Sequence, residues 1–527
     1  MIVAIVVIIT GIAIATPMVI NFVKDNTIKL IDYAADSFKD EKDYSQEVER
    51  QSDESRQNKI NDGFSDNILK LQIGQNEISI NTSYDSEIYE LENMYTDVPL
   101  DIKVKDSTAN IVDDINMTID GQDMNENNTL EVEALDKDKY IKIKLEYDTY
   151  NRTYYVQTLP TDFPEFEKHG VSEYEGDYYS NFYLEGDPYI YKMSNEGDIL
   201  YYNRAEGEDR NGVTNFAKWN IDDKERYSYF SKSNHGYIDI PGYNYGSFII
   251  MDEDYEEVDN VSTIPSEKYD IYTDKAETHD FIMLDDGHYM LMNYVVDTPN
   301  PDDINGDVDM DSKVLAAYIQ EIKDDEIVWE WISTDYPEFY KNSVENNDYT
   351  NSERYAADYM HINSMFIDPK DSNLIMSFRN QDTVVKVDRE TNEILWRFGG
   401  AADDFNLSND QKPSRQHHAT ITEAGNLLIF DNGTENKQTR IIEANIDEEN
   451  MELKNYEEFK IDDVFSTFTG SVQKVDEEND VFLIGWGLQR ENQHALMSEI
   501  DFKNNKVLTE AIEADIENDS YRFMKFK

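Results

Sequence analysis

The feature that most restricts the fold is a loose repeat that begins beyond about residue 165. Six segments share one pattern, a Gly or Asn turn followed by four or five mostly apolar residues. They are Gly197-Asp198-Ile199-Leu200-Tyr201, Gly246-Ser247-Phe248-Ile249-Ile250, Gly287-His288-Tyr289-Met290-Leu291, Asn373-Leu374-Ile375-Met376-Ser377, Gly425-Asn426-Leu427-Leu428-Ile429 and Asn479-Asp480-Val481-Phe482-Leu483. Their starts lie 49, 41, 86, 52 and 54 residues apart. Periods of this size, each long enough for several strands, are what propeller blades produce. The longest step implies an insertion, and Pro299 to Asp311 is part of it. In Val385-Lys386-Val387-Asp388-Arg389-Glu390-Thr391-Asn392-Glu393-Ile394-Leu395-Trp396 a strand ends in Asp, a polar turn follows, and the next strand ends in a large aromatic; Ile327-Val328-Trp329-Glu330-Trp331 repeats that ending. Such Trp side chains are expected to pack between blades rather than hold a ligand. The expectation is an all-β chain with a six-bladed β-propeller over residues 161–527.

Upstream, Glu77-Ile78-Ser79-Ile80, Leu100-Asp101-Ile102-Lys103-Val104 and Tyr140-Ile141-Lys142-Ile143-Lys144-Leu145 alternate polar and apolar residues between Asn, Asp and Gly. They read as a small β-sandwich over residues 68–160. Residues 23–67 are polar and charge-rich and read as a spacer. Ile2 to Ile20 carries no charge and is nearly long enough to cross a bilayer as an apolar helix. Two readings of residues 1–22 stand, an uncleaved membrane tether or a signal peptide cut near Ala13-Ile14-Ala15. Both place the rest of the chain outside the cytoplasm, secreted or at the cell surface (periplasmic in a Gram-negative cell).

Charge removes one class of partner. Asp plus Glu number 111 against 47 Lys plus Arg, a net of −64, and such a surface repels nucleic-acid phosphates. It also repels itself, which suits either a high-salt or alkaline setting or simply a very soluble acidic protein. The absence of Cys excludes disulfides, thiol catalysis and Cys-based zinc sites.

Four of the eight histidines stand in comparable places. His279, His361 and His417, with His418 directly after it, lie 8 to 12 residues upstream of a repeat turn, at Gly287, Asn373 and Gly425 respectively. Equivalent positions in successive blades converge on the central channel, so these side chains are expected to meet in one polar funnel, with Arg379 able to reach it. A neutral imidazole is a competent nucleophile toward sulfur or phosphorus, and Arg with further His donors can hold the oxygens of a transferring group. There is no Walker loop or dinucleotide fingerprint. A metal site built from three His, or channel histidines without chemistry, fit the same spacing.

Several stretches together resemble the bacterial PAPS-independent arylsulfate sulfotransferase family: Asp358-Tyr359-Met360-His361-Ile362-Asn363-Ser364, Ser377-Phe378-Arg379-Asn380-Gln381-Asp382-Thr383, Val387-Asp388-Arg389-Glu390-Thr391, Trp396-Arg397-Phe398-Gly399-Gly400, and Gln416-His417 followed by Gly425 through Gly433. The resemblance covers most of residues 155–490. It implies a ping-pong transfer in which a histidine takes the sulfuryl group from an aryl sulfate and a phenol then collects it. Matched by motif, the nucleophile is His417. His361 and Arg379 correspond to the residues that bind the sulfuryl oxygens and assist proton transfer, and His279 to a fourth catalytic member. Asn363 corresponds to a nearby polar contact. His418 is an extra histidine that competes for the assignment.

The resemblance implies no cofactor, and its partners are an aryl sulfate donor and a phenolic acceptor; a homodimer is also expected. Some relatives carry a Cys pair that this chain lacks. Asp303-Ile304-Asn305-Gly306-Asp307-Val308-Asp309 looks like the start of a calcium loop but has no Glu at the twelfth position, and reads as a solvated acidic loop. Two other functions remain open at this stage, a non-catalytic extracellular binding propeller and an aryl sulfate hydrolase.

Overall fold

A computed structural model describes residues 68–81, 88–106, 111, 115–123, 129–147, 150–170, 172–182, 189–204, 212–233, 243–299, 304, 312–350, 356–489, 495–513 and 520–527. The apolar run at residues 2–20, the spacer and nearly all of the 303–309 acidic loop lie outside the described residues. Among the described residues no helix is long and apolar enough to cross a membrane.

The chain is nearly all-β and divides into two compact units. The smaller holds the described residues within 68–90, 101–130 and 140–157. It holds a four-stranded sheet, in the order Asn76–Asn81, Ile68–Ile73, Leu100–Asp106 and Thr129–Leu130. Its second sheet has five strands, in the order Ile88–Tyr89, Tyr150–Gln157, Tyr140–Tyr147, Asn116–Ile119 and Gln122–Asp123. Alternation puts Leu69, Leu71 and Ile73 on the buried face of the first sheet and Ile141, Ile143 and Leu145 on that of the second. The larger unit is not one uninterrupted stretch, since residues 91–100 and 131–139 belong to it together with 158–527.

The larger unit contains six antiparallel sheets of four or five strands among the described residues. The first is Met524–Phe526, Asp177–Asn181, Tyr189–Met193, Ile199–Arg204 and Asn93–Tyr95. The second is Val213–Ile221, Lys224–Lys232, Tyr245–Met251 and Glu257–Val261. The third is Phe281–Asp285, His288–Asp297, Val314–Lys323 and Glu326–Ile332. The fourth is Ile362–Ile367, Leu374–Phe378, Thr383–Val387 and Ile394–Gly399. The fifth is His418–Ile421, Leu427–Asp431, Arg440–Asp447 and Glu452–Phe459. The sixth is Ser471–Asp476, Val481–Gly485, Met497–Asp501, Lys506–Glu513 and Phe166–His169.

The strand named first in each sheet packs against the neighbouring sheet in sequence order. Val213–Ile221 meets Phe281–Asp285, Ile362–Ile367 meets His418–Ile421, and Ser471–Asp476 meets Met524–Phe526. All six of these inner strands line one cavity of about 460 Å³. The arrangement is consistent with a propeller-like fold, with the chain's last strand innermost in the first sheet.

Large apolar side chains fill the spaces between sheets. Trp331, at the end of the third sheet, stacks on Phe378 of the fourth with ring centroids 5.9 Å apart. Trp396 is buried beside Phe405, and its indole N–H donates to Glu448 beyond the fifth sheet at 3.1 Å. Both therefore do the inter-sheet packing expected of them. Four of the six repeat segments fall on the second strand of their sheet, whereas the Gly246 segment lies on the third of the second sheet and the Gly197 segment on the fourth of the first.

Candidate functional site

Each inner strand begins at the same end of the larger unit, and the residues just before or at those starts build the site. His279 precedes Phe281–Asp285, His361 precedes Ile362–Ile367, and His417 precedes His418–Ile421. Gly470 precedes Ser471–Asp476, and Tyr521 and Arg522 precede Met524–Phe526. The three histidines come together. The His279 ring centroid lies 5.1 Å from that of His361 and 6.0 Å from that of His417. Tyr521 closes the far side, edge-on to His417 at 5.3 Å, while Tyr243 stands 5.4 Å from His361.

The backbone here is held in uncommon conformations. His361 has φ 50°, Arg415 φ 56° and Thr469 φ 58°, all left-handed for non-glycine residues. Such geometry costs about 1–3 kcal/mol per residue and persists only where the surroundings enforce it. At His361 the Asp358 carboxylate does so, since one oxygen accepts the His361 backbone N–H at 3.1 Å and the other contacts Nδ1 at 2.7 Å. Glu277 treats His279 the same way, with Oε2 2.8 Å from its backbone N and 2.6 Å from Nδ1. An ionised carboxylate only accepts, so Nδ1 carries the proton in both rings and each Nε2 is left for a ligand. The inner strand of the fourth sheet also shifts register between Ile362 and Ser364, and this bulge turns Asn363 inward.

His417 is held differently. Its Nδ1 lies 2.9 Å from the Gly470 carbonyl, an obligate acceptor, so Nδ1–H donates and the Nε2 lone pair is free to attack. Burial, the positive charge of Arg522 and the neighbouring His279 push the imidazole well below its ordinary pKa. His361 is also lowered, because burial outweighs the attraction of Asp358. Both rings are therefore neutral near pH 7.

The other expected residues are placed as follows. The Arg379 backbone N–H donates to the His361 carbonyl at 2.9 Å, but its guanidinium pairs with Glu345 at 3.2 Å and Asn380 at 2.8 Å and lies over the Phe468 ring. It stands beside the cluster rather than among the histidine rings. Asn363 is fully buried and donates to the Gln416 carbonyl at 2.8 Å, so it braces the segment leading into His417. His418 sits with Nδ1 3.1 Å from the Val472 carbonyl, two residues beyond the carbonyl that holds His417, and lines the axial cavity.

Sequence reasoning missed Glu277, Asp358, Tyr521 and Arg522 as site residues. A carboxylate two or three residues before each of two histidines was a usable signal for the first pair. Nothing local signals the second pair, which stands more than 100 residues beyond His417.

Among the described residues one group of acidic side chains has metal-like spacing, Asp368, Asp371 and Glu448. The Lys386 ammonium already sits among them, at 2.6, 2.8 and 2.8 Å. Among the described residues the three imidazoles do not form such a group.

The turn before Ser471–Asp476 gives a direct check on how His417 is held. Gly470 has φ 105°, and a Cβ there would run into the Phe430 ring. Gly470→Ala is expected to displace the carbonyl that orients His417. The rate should fall about tenfold to a hundredfold, as small misplacements of reacting groups do. Single-turnover kinetics at saturating substrate would measure this.

A family model described as Arylsulfotransferase (ASST) matches residues 231–510, just over half of the chain. No curated protein matches. Solved structures with some likeness include a protein of unknown function from Bacteroides caccae, at 10% identity and TM-score 0.39 over 67% of this chain and 100% of that one. Virginiamycin B lyase from Staphylococcus aureus matches at 9% identity and TM-score 0.28, over 64% of this chain and 88% of that one. Apo AztD from Citrobacter koseri matches at 11% identity and TM-score 0.30, over 66% of this chain and 98% of that one. Similarities this low carry no argument about this chain.

Proposed function

The chain belongs to the arylsulfotransferase (ASST) family, and from that premise we propose that it moves a sulfuryl group from an aryl sulfate to a phenolic acceptor, without PAPS, through a sulfohistidine at His417. The six sheets are the blades of one propeller, and the reaction takes place at the end of its axis where the inner strands begin. The observation that carries this reading is the bond from His417 Nδ1 to the Gly470 carbonyl, which leaves Nε2 as a lone-pair donor beside two carboxylate-backed imidazoles.

In the first half-reaction His417 Nε2 attacks sulfur, the N–S bond forms and the S–O bond to the aryl group breaks. The departing aryl oxygen takes the bond pair and leaves as the aryloxide, which takes its proton from solvent. In the second half-reaction the Nε2 lone pair of His279 or His361 takes the proton of the incoming phenol and later passes it to solvent. The phenolic oxygen attacks sulfur, and the N–S electron pair returns to His417. The Arg379 guanidinium, beside the cluster, supplies hydrogen bonds to the sulfuryl oxygens, where charge is greatest during transfer, and His279 and His361 serve as bases. Water must be excluded for transfer to outrun hydrolysis, and the burial of His279 and His417, with His361 only partly exposed, supports transfer.

The test uses 4-nitrophenyl sulfate and an added phenol with no PAPS. Nitrophenol release is expected to depend on the phenol. Release that ignores the phenol would mean hydrolysis, and no release would leave a binding propeller. Donor alone should add one sulfuryl mass to the protein, at His417. Because the His417 pKa is lowered, its reactive neutral form persists as the pH falls past the ordinary imidazole value of about 6.5. The acid limb of the donor-only burst is therefore expected below that value.

We propose that the protein is secreted or tethered outside the cytoplasm, in keeping with the apolar run at residues 2–20.

A further inference from the structure

The groups around His417 arrive from several sheets. The third contributes His279 and Asp280, the fourth His361 with Asp358 and Arg379, and the sixth the Gly470 carbonyl; His418 follows on its own strand. The remaining contributors come from the chain's C-terminal end. Tyr521 places its ring against His417, and its hydroxyl donates to the His279 carbonyl at 3.2 Å. Arg522 is buried, and its Nη1 donates to Asp280 Oδ1 at 2.6 Å while Nη2 donates to the Asn363 carbonyl at 3.0 Å.

Those two bonds reach further than one ion pair. Asp280 also accepts the backbone N–H groups of Phe281 at 3.0 Å and Met365 at 2.8 Å. Through Asp280 and Asn363, Arg522 fixes the inner strands of both the third and the fourth sheets just past His279 and His361. Asn363 in turn holds the Gln416 carbonyl, directly before His417. The strand that delivers Arg522 is itself fastened. Ser180 Oγ donates to the Arg522 carbonyl at 2.8 Å, and the buried Lys525 Nζ pairs with Glu499 at 2.8 Å. After burial, the Arg522 charge is the strongest influence that lowers the pKa of both His417 and His418.

We propose that Arg522 is a positioning residue of the sulfuryl-transfer centre. Delivered by the last strand, it sets the registry of the three histidines and places positive charge beside the nucleophile, so that the centre is complete only when the C-terminal strand closes the first sheet. This rests on the reading of His417 as the nucleophile.

The experiment compares Arg522→Met and Arg522→Lys with the parent protein in the full chain. Two quantities are read, the pH at which His417 protonates, by NMR of ¹⁵N-histidine-labelled protein, and the rate of the donor-only burst with 4-nitrophenyl sulfate. Removing the cation also leaves Asp280 unpaired, and both changes favour the imidazolium. In Arg522→Met, His417 is expected to protonate about one pH unit higher, and the burst to slow by roughly tenfold or more. Arg522→Lys keeps the charge but not the two-pronged geometry, so its protonation pH stays near the parent's while its burst still slows.

If Arg522→Met leaves either quantity unchanged, the proposal is overturned. If Arg522→Met does not yield folded protein, Arg522→Lys decides, and a burst at the parent's rate overturns the proposal. Failure of the parent itself to acquire a sulfuryl group on His417 refutes the nucleophile instead, and the NMR titration still reports on Arg522 separately.

Discussion

His417→Ala is expected to abolish turnover, with a loss of about 10⁴-fold or more, since removing a covalent nucleophile leaves only binding and electrostatic stabilisation. The fold should survive. The ring makes a single hydrogen bond, to the Gly470 carbonyl, and its departure unpairs an acceptor that water can reach through the emptied space. An unchanged circular dichroism spectrum and a melting temperature within a few degrees of the parent would establish this. The informative comparison is His418→Ala. That side chain lines the axial cavity, held by the Val472 carbonyl, so most activity should remain. Mass spectrometry after donor alone should find the added group in the parent and in His418→Ala, and not in His417→Ala. The reverse pattern would move the nucleophile to His418 and refute the geometric assignment.

How much of this was readable from the sequence differs between strands and sites. Where a sheet starts with its own inner strand followed by a tight turn, the buried second strand stands out as an apolar run after Gly or Asn. That holds for Leu374–Phe378, Leu427–Asp431 and Val481–Gly485, all fully buried along their length. In the second sheet the mixed polar strand Lys224–Lys232 takes second place and the Gly246 segment third. The first sheet departs most, because its inner strand, Met524–Phe526, comes from the other end of the chain and the Gly197 segment is its fourth strand. The same circumstance hid part of the site. His279, His361 and His417 could be aligned because each precedes an inner strand at a similar distance from a repeat turn. Tyr521 and Arg522 hold the equivalent place in a sheet whose remaining strands lie more than 300 residues away, and local spacing carries no trace of that. Between His417 and His418 the decision needed the structure, since only the His417 ring meets His279 while His418 lines the cavity. The Arg379 backbone N–H reaches the His361 carbonyl, but the guanidinium's partner Glu345 lies in a loop with no repeat signature.

The largest stability effect is expected away from the site, at Lys386. This side chain is fully buried in the fourth sheet, with its ammonium among Asp368, Asp371 and Glu448. Burial works against the charge, but the three carboxylates outweigh it and hold the Lys386 pKa well above the usual value. Asp371, despite its own desolvation, is held below the usual carboxylate range, chiefly by Lys386. Glu448 follows a strand of the fifth sheet, so the cluster also ties the fourth and fifth sheets together.

Lys386→Met keeps the volume and removes the charge, leaving three carboxylates within 4.8 Å of one another. Breaking a buried charge pair in this way costs about 3–5 kcal/mol. The deficit has a definite pH dependence. In the parent, the depressed Asp371 pKa contributes stability above about pH 4 that is lost as the pH falls. In the variant, crowded carboxylates without a cation bind protons more readily than in the unfolded chain, so acidification relieves part of the strain. Urea melts should therefore show the widest gap between parent and variant near pH 7 and a narrowing gap toward pH 4. Three carboxylate oxygens at this spacing also suit a hard divalent cation, so millimolar Ca²⁺ is expected to restore part of the variant's midpoint while leaving the parent, whose site Lys386 fills, unmoved. A gap that stays constant with pH, or a loss under 1 kcal/mol, would show that the ammonium contributes no more than an exposed ion pair does.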